Sequence, residues 1–137
     1  MPHRVYGEEN KIMLYTVGYN NFSFFEFRDK IKSLGVIIID IRYSPNSYST
    51  FWNKQYLEDI FGNSYIHLPE LGNKNYKNPE KEFDIVDIEA GANKVIEYMD
   101  LGFNCILLCA CGDVDKCHRK LVAEKIKEKS NCEIIHI

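Results

Sequence analysis

The sequence predicts an α/β fold: a single three-layer domain spanning residues 1–137, with a mostly parallel sheet of about five strands and helices on both faces. Three observations predict it. Strand-like and helix-like segments alternate along the chain, which is the pattern parallel sheets with crossover helices produce. The run Val36-Ile37-Ile38-Ile39-Asp40-Ile41 is apolar on both faces, as strands between two helical layers are. A chain of 137 residues with 45% hydrophobic and 27% charged side chains is long enough and apolar enough for one real core without disulfide staples.

The elements follow in order. Residues 12–17 read as a first strand, and Gly18-Tyr19-Asn20-Asn21 as a turn. Ser23 with Glu26 three residues on is a capping box, after which Phe24, Phe27, Ile31 and Leu34 recur at helical spacing and Gly35 stops the helix. Residues 36–41 form the second strand, and 42–52 a polar loop. A short helix is expected over 53–61, closed by Gly62, then a short strand over 64–68. Residues 71–80 are a Gly/Asn/Lys/Pro loop. Ile85, Ile88, Ala92, Val95, Ile96 and Met99 predict a helix over 85–101, ended by Gly102. A strand over 104–110, a loop over 111–116, a helix over 117–129 and a strand over 132–137 complete the chain. Asp115 is the expected N-cap of the last helix, with Leu121, Val122, Ala123 and Ile126 turned inward.

Composition removes several classes of function. No apolar run approaches the ~18 residues of a membrane span, so no membrane partner is expected. The first eleven residues are polar and resemble no secretory signal. Five Cys in such a chain point to a reducing compartment and a cytoplasmic location. Their number is odd, and Cys105, Cys109, Cys111 and Cys117 cluster while Cys132 stands apart. Cys105 and Cys132 read as small core residues. Net charge is −3, but the segment from Lys116 to Lys129 carries six basic residues against Glu124 and Glu128, so it is +4 and the remainder −7. That face would attract an anion, with nucleotide or nucleic acid among the partners, or would simply be solvated.

In a parallel sheet ligands bind at the carboxyl ends of the strands. Four loops are expected to meet there: 18–21, 42–52, 69–80 and 111–116. Asp40 and Arg42, two apart at a strand end, point the same way. Arg42 then either offers its guanidinium to an anion with Asp40 orienting it, or closes the sheet edge as an ion pair. The stretch Cys109-Ala110-Cys111-Gly112-Asp113-Val114-Asp115-Lys116-Cys117-His118-Arg119 holds most of the reactive groups. A Cys at a helix start beside His118 and Arg119 has its thiolate favoured relative to a free thiol. Cys109, Cys117 and His118 are therefore the candidate catalytic residues, and Arg42, Arg119, Asp40 and His67 the candidate anion-binding residues. Tyr19, Asn20, Ser47 and Tyr65 are weaker polar candidates, while Phe51 and Trp52 read as core cover and His136 as structural.

A phosphatase loop, Cys-x5-Arg, is absent: six positions after Cys109 stands Asp115, and six after Cys111 stands Cys117. No metal is assigned. Cys109, Cys111, Cys117 and His118 supply zinc-type donors, but neighbours 117 and 118 on a helix would diverge by about 100°.

The chain resembles the uncharacterised family called domain of unknown function 488. The resemblance is carried by Tyr15-Thr16-Val17-Gly18-Tyr19, Gly35, Ile39-Asp40-Ile41-Arg42, Ser44-Pro45, Tyr65-Ile66-His67-Leu68-Pro69-Glu70-Leu71-Gly72, Leu107-Leu108-Cys109-Ala110, Cys117-His118-Arg119 and Ile134-Ile135-His136-Ile137. It implies an α/β fold and a rim built from the Asp-x-Arg, Leu-Gly and Cys-His-Arg segments, with no established reaction. Cys111 stands where that family usually has an acidic residue. A remoter resemblance is to rhodanese-like domains, in the Asp-x-Arg after a strand and in Cys109 with Gly112 three residues on.

The expectation is an anion pocket, for phosphate, a nucleotide-like group or another small anion, with Cys-dependent transfer or hydrolysis as its chemistry. The alternatives are a non-catalytic nucleotide or nucleic-acid binding module, or a Cys/His metal or redox site.

Overall fold

The structure is a computed structural model that describes residues 12–137, so the polar first eleven residues lie outside the described part. Five strands, β1 (Met13–Gly18), β2 (Ile37–Asp40), β3 (Tyr65–His67), β4 (Cys105–Cys109) and β5 (Glu133–His136), form one sheet in the order β3-β2-β4-β1-β5. Every pairing is parallel. All five carboxyl ends therefore share one edge, and Gly18 at the end of β1 lies beside Cys109 at the end of β4.

Alternation along the strands divides the core into two. Ile37, Ile39, Ile41, Cys105, Leu107 and Cys109 face one side, packed under α3 (Ile88–Asp100) and α4 (His118–Ser130). Ile38, Ile106, Leu108 and Val17 face the other, under α1 (Phe24–Leu34) and α2 (Lys54–Phe61). The layers are thus two helices, sheet, two helices, as the doubly apolar strands require.

The local signals act as read. Ser23 Oγ accepts from the Glu26 amide at 3.1 Å and Glu26 accepts from the Ser23 amide at 2.9 Å, closing the capping box. Gly35 ends α1 in the left-handed region at φ 63°.

Three local expectations are corrected. The helix expected from 85 begins at Ile88, because the Asp87 side chain caps it by accepting from the Ala90 amide, while Ile85 bridges to Asn73 instead. Asp115 does not cap α4. It lies in a 3₁₀ turn, Val114–Lys116, capped by Asp113, and Cys117 takes the N-cap position of α4. Leu121, expected inward, is 42% exposed, whereas Val122, Ala123 and Ile126 are buried.

Among the described residues no helix is long and apolar enough to cross a membrane.

Candidate active site at the carboxyl edge

The site begins at β2. Asp40 is fully buried and accepts from Arg42 three times, at the backbone amide (3.1 Å), Nε (2.9 Å) and one terminal guanidinium nitrogen (2.6 Å), and also from the Tyr65 hydroxyl. The other terminal nitrogen of Arg42 donates to the Trp52 carbonyl at 2.6 Å. The Tyr19 ring lies 5.4 Å from the guanidinium and also stacks on Trp52. Burial alone would weaken Arg42's hold on its proton, but the Asp40 hydrogen bonds and charge outweigh it and the net shift is upward. Burial, reinforced by the Asp40 charge, also keeps the Tyr65 phenol protonated far above its usual range. Arg42 is thus a fixed cation whose geometry Asp40 dictates.

Cys109 ends β4 beside this pair. His118, the first residue of α4, donates from Nε2 to the Ile41 carbonyl at 2.8 Å, which leaves Nδ1 facing Cys109 Sγ at 3.8 Å. Sγ of Cys109, Sγ of Cys117 and a ring nitrogen of His118 lie within 4.8 Å of one another, and all three residues are buried. The divergence of about 100° expected between positions 117 and 118 does not arise, because Cys117 is an N-cap in extended backbone (φ −113°, ψ 138°) and outside the helical rotation. The two thiols differ. The Cys109 pKa is held below the ordinary thiol value, chiefly by a hydrogen bond from Cys117; burial opposes this, and the amides of Ala110 and Cys111 and the Arg119 charge reinforce it. The Cys117 pKa is pushed well above that value, because its thiol proton is committed to Cys109 and because the group is buried.

These groups lie along a cavity of about 370 Å³ at the sheet edge, the place such folds reserve for ligands. Arg42, Cys109, Cys117 and His118 line it together with Lys81 and Lys116. Phe83 approaches the His118 ring at 6.3 Å. All four expected loops contribute, although the loop after β3 does so further along the chain, from Asn73 to Phe83. Asn73 organises that wall: its Oδ1 accepts from the amides of Asn75 (3.1 Å) and Asp84 (2.9 Å), folding an otherwise irregular Asn/Lys segment over the cavity. Sequence reasoning placed the 69–80 loop at this rim but singled out none of its lining residues. The one signal for it was a run of Asn and Asp at spacings suited to side-chain-to-backbone turns.

The other candidates are placed differently. Asp40, His67 and Arg119 do not line the cavity. His67 donates from Nε2 to the Arg42 carbonyl at 2.8 Å and braces the strand end. Arg119 is 1% exposed; its Nε donates to Thr16 Oγ1 at 3.1 Å and a terminal nitrogen to the Cys111 carbonyl. Thr16 in turn meets His136 Nδ1 at 2.6 Å. The structure therefore joins Arg42, Cys109, Cys117 and His118, and uses Asp40, His67 and Arg119 to hold the strand ends and the intervening loop. Trp52 is buried in the core and Phe51 half-exposed at its margin. On the basic helix, Lys125 and Lys129 both pair with Glu89 of α3, and Lys120 with Asp115, so much of that charge is met within the chain.

No curated protein and no solved structure matches the chain. The likeness to rhodanese-like domains is carried by none of these comparisons. One family model does match, over residues 23–126, from the capping serine of α1 to the last buried residue of α4, and by that match the chain belongs to the family described as domain of unknown function DUF488.

Proposed function

We propose that this protein is a Cys-dependent transferase or hydrolase acting on a small anionic substrate, with Cys109 as the nucleophile. The observation that carries the reading is the Cys109–His118 pair on the wall of the cavity, with His118 oriented by the Ile41 carbonyl. A nucleophile, a base within reach and a third group that orients the base are the parts nucleophilic catalysis needs. His118 Nδ1 accepts the Cys109 proton and returns it to the leaving group. The backbone amides of Ala110 and Cys111 lower the Cys109 pKa and so favour negative charge on its sulfur. Arg42, Lys81 and Lys116 set the preference for an anion.

The test is alkylation of the reduced protein at neutral pH by neutral iodoacetamide and anionic iodoacetate, mapped by peptide mass spectrometry. Cys109 reacts first among the five thiols, and iodoacetate gains on iodoacetamide relative to a free cysteine. Labelling confined to the more exposed Cys111 would refute the nucleophile.

A second reading has its own observation. Two sulfurs and one imidazole nitrogen within 4.8 Å, with the other imidazole nitrogen bound to a carbonyl, form a donor set suited to zinc or another soft divalent ion. Elemental analysis of protein purified without chelators decides it. One equivalent of zinc, lost in Cys117→Ala, establishes the metal reading, and metal-free protein with a reactive Cys109 excludes it.

A further inference from the structure

We infer that Cys117 is a resolving thiol and that the site reduces a small anionic disulfide by closing a Cys109–Cys117 disulfide. The inference rests on Cys109 being the nucleophile and adds a second participating sulfur, a redox outcome and a substrate class.

Geometry is the support. Cys117 is the residue whose sulfur shares the Cys109–His118 cluster, within 4.8 Å of Cys109 Sγ. Of the remaining cysteines, Cys105 and Cys132 are buried in the core, and the Cys111 thiol turns away to the Asp113 carbonyl at 3.5 Å. A disulfide needs the two sulfurs about 2.05 Å apart. Cys117 is well placed to close that gap, because it is the hinge between a 3₁₀ turn and α4 and makes no side-chain cap bond to the helix.

The steps balance. The Cys109 thiolate attacks one sulfur of R–S–S–R, forming Cys109–S–S–R and releasing RS⁻, which takes the proton held on His118. His118 then accepts the Cys117 proton. The Cys117 thiolate attacks Cys109 Sγ, the second RS⁻ leaves and takes that proton, and the Cys109–Cys117 disulfide remains. Two protein thiols are oxidised and one disulfide is reduced to two RSH. Lys81, Lys116 and Arg42 along the cavity suit a disulfide carrying carboxylates.

The experiment treats reduced full-length protein with oxidised glutathione, quenches with acid and maps the cysteines by mass spectrometry, with circular dichroism confirming the fold of each variant. In the wild type, Cys109 and Cys117 are recovered as one intramolecular disulfide with no retained adduct. In Cys117→Ser a glutathione adduct accumulates on Cys109. An adduct retained on Cys109 of the wild type, or a disulfide from Cys109 to Cys111, overturns the resolving role while leaving the nucleophile intact. No adduct on Cys109 in either protein, with Cys109 still alkylated by iodoacetamide, overturns the substrate class. Failure of iodoacetamide as well removes the nucleophile itself.

Discussion

His118 and Ile41 are 77 residues apart in sequence and are joined by one hydrogen bond, 2.8 Å from Nε2 to the carbonyl oxygen. A carbonyl only accepts, so Nε2 carries the hydrogen and the neutral ring presents a bare Nδ1. That nitrogen faces Cys109. The end of β2 thus fixes the chemistry available at the end of β4, which is the purpose an orienting partner serves in thiol–imidazole pairs.

His118→Gln tests this relationship, because the Gln amide retains a donor near the Nε2 position and loses the base. The alkylation rate of Cys109 by iodoacetamide at pH 7 is expected to fall roughly tenfold, equivalent to about 1.4 kcal/mol in the activation barrier, because the base that takes the thiol proton is gone. The pH–rate profile moves to higher pH. An unchanged profile with the fold intact would show that His118 is not the proton partner.

Much of this was legible in the sequence where a short-range rule decides the outcome. The Ser23–Glu26 box and the terminating Gly35 depend on backbone geometry within a few residues, and both behave as read. The second strand was legible because a β-branched run, residues 36–39, marks it. The α4 start was not: Asp115 looked like a cap, but Asp113 two residues earlier captures its amide and winds a 3₁₀ turn, which delays the helix to His118. Helical rotation of about 100° per residue then separates His118, facing Cys109, from Arg119, facing Thr16. Grouping the two as pocket residues by adjacency ignored that rotation. The wall from Asn73 to Phe83 is closed by pairings from Asn73 to Asp84 and Ile85, eleven and twelve residues on, and no local pattern specifies which cavity it covers.

Asp40→Asn is expected to cost more stability than any exposed substitution. The carboxylate holds both the Arg42 guanidinium and the Tyr65 hydroxyl with no solvent exposure. Removing its charge strands a buried cation, a loss of about 3–5 kcal/mol. Urea unfolding at pH 7 measures it. The double variant Asp40→Leu with Arg42→Met should recover much of the loss, and failure to do so would mean the pair does not act as a unit.

Gly18→Ala probes the approach of β1 to the loop after β4. The place a Cβ would take is filled by the Cys111 carbonyl and by Arg119. The expected cost is about 1–3 kcal/mol. The Arg119 bond to Cys111 is lost, and so is part of the Cys109 reactivity, since the Cys111 amide belongs to the displaced loop. Gly35→Ala is the control. Among the described residues nothing lies within 4 Å of its added carbon, so only left-handed backbone strain of about 1 kcal/mol is expected, and Cys109 should react at the wild-type rate.

Alkaline pH should unfold the protein through Cys105. This thiol is buried in the middle of the sheet, and burial, with the Cys132 thiol adding to it, pushes its pKa from 9.0 up to about 12. The folded value lies above the unfolded one, so the contribution to stability is complete below about pH 9 and is lost as pH rises toward 12. In that window the unfolded chain has released a proton that the folded chain retains, and stability falls by as much as about 1.4 kcal/mol per pH unit for one such group. Cys117 acts with the same sign, and Tyr65 joins above its own ordinary value of 10.0. Cys109 acts with the opposite sign and at lower pH: its depressed value stabilises the fold above the ordinary thiol range, and that contribution is lost as pH falls through the folded value. Urea midpoints measured at pH 7, 8.5, 9.5 and 10.5 should therefore decline steeply only above the third condition's lower neighbour. Cys105→Ala should start less stable at pH 7, because it leaves a small cavity, and then decline with a shallower slope. Parallel slopes for the two proteins would show that Cys105 does not retain its proton in the folded state.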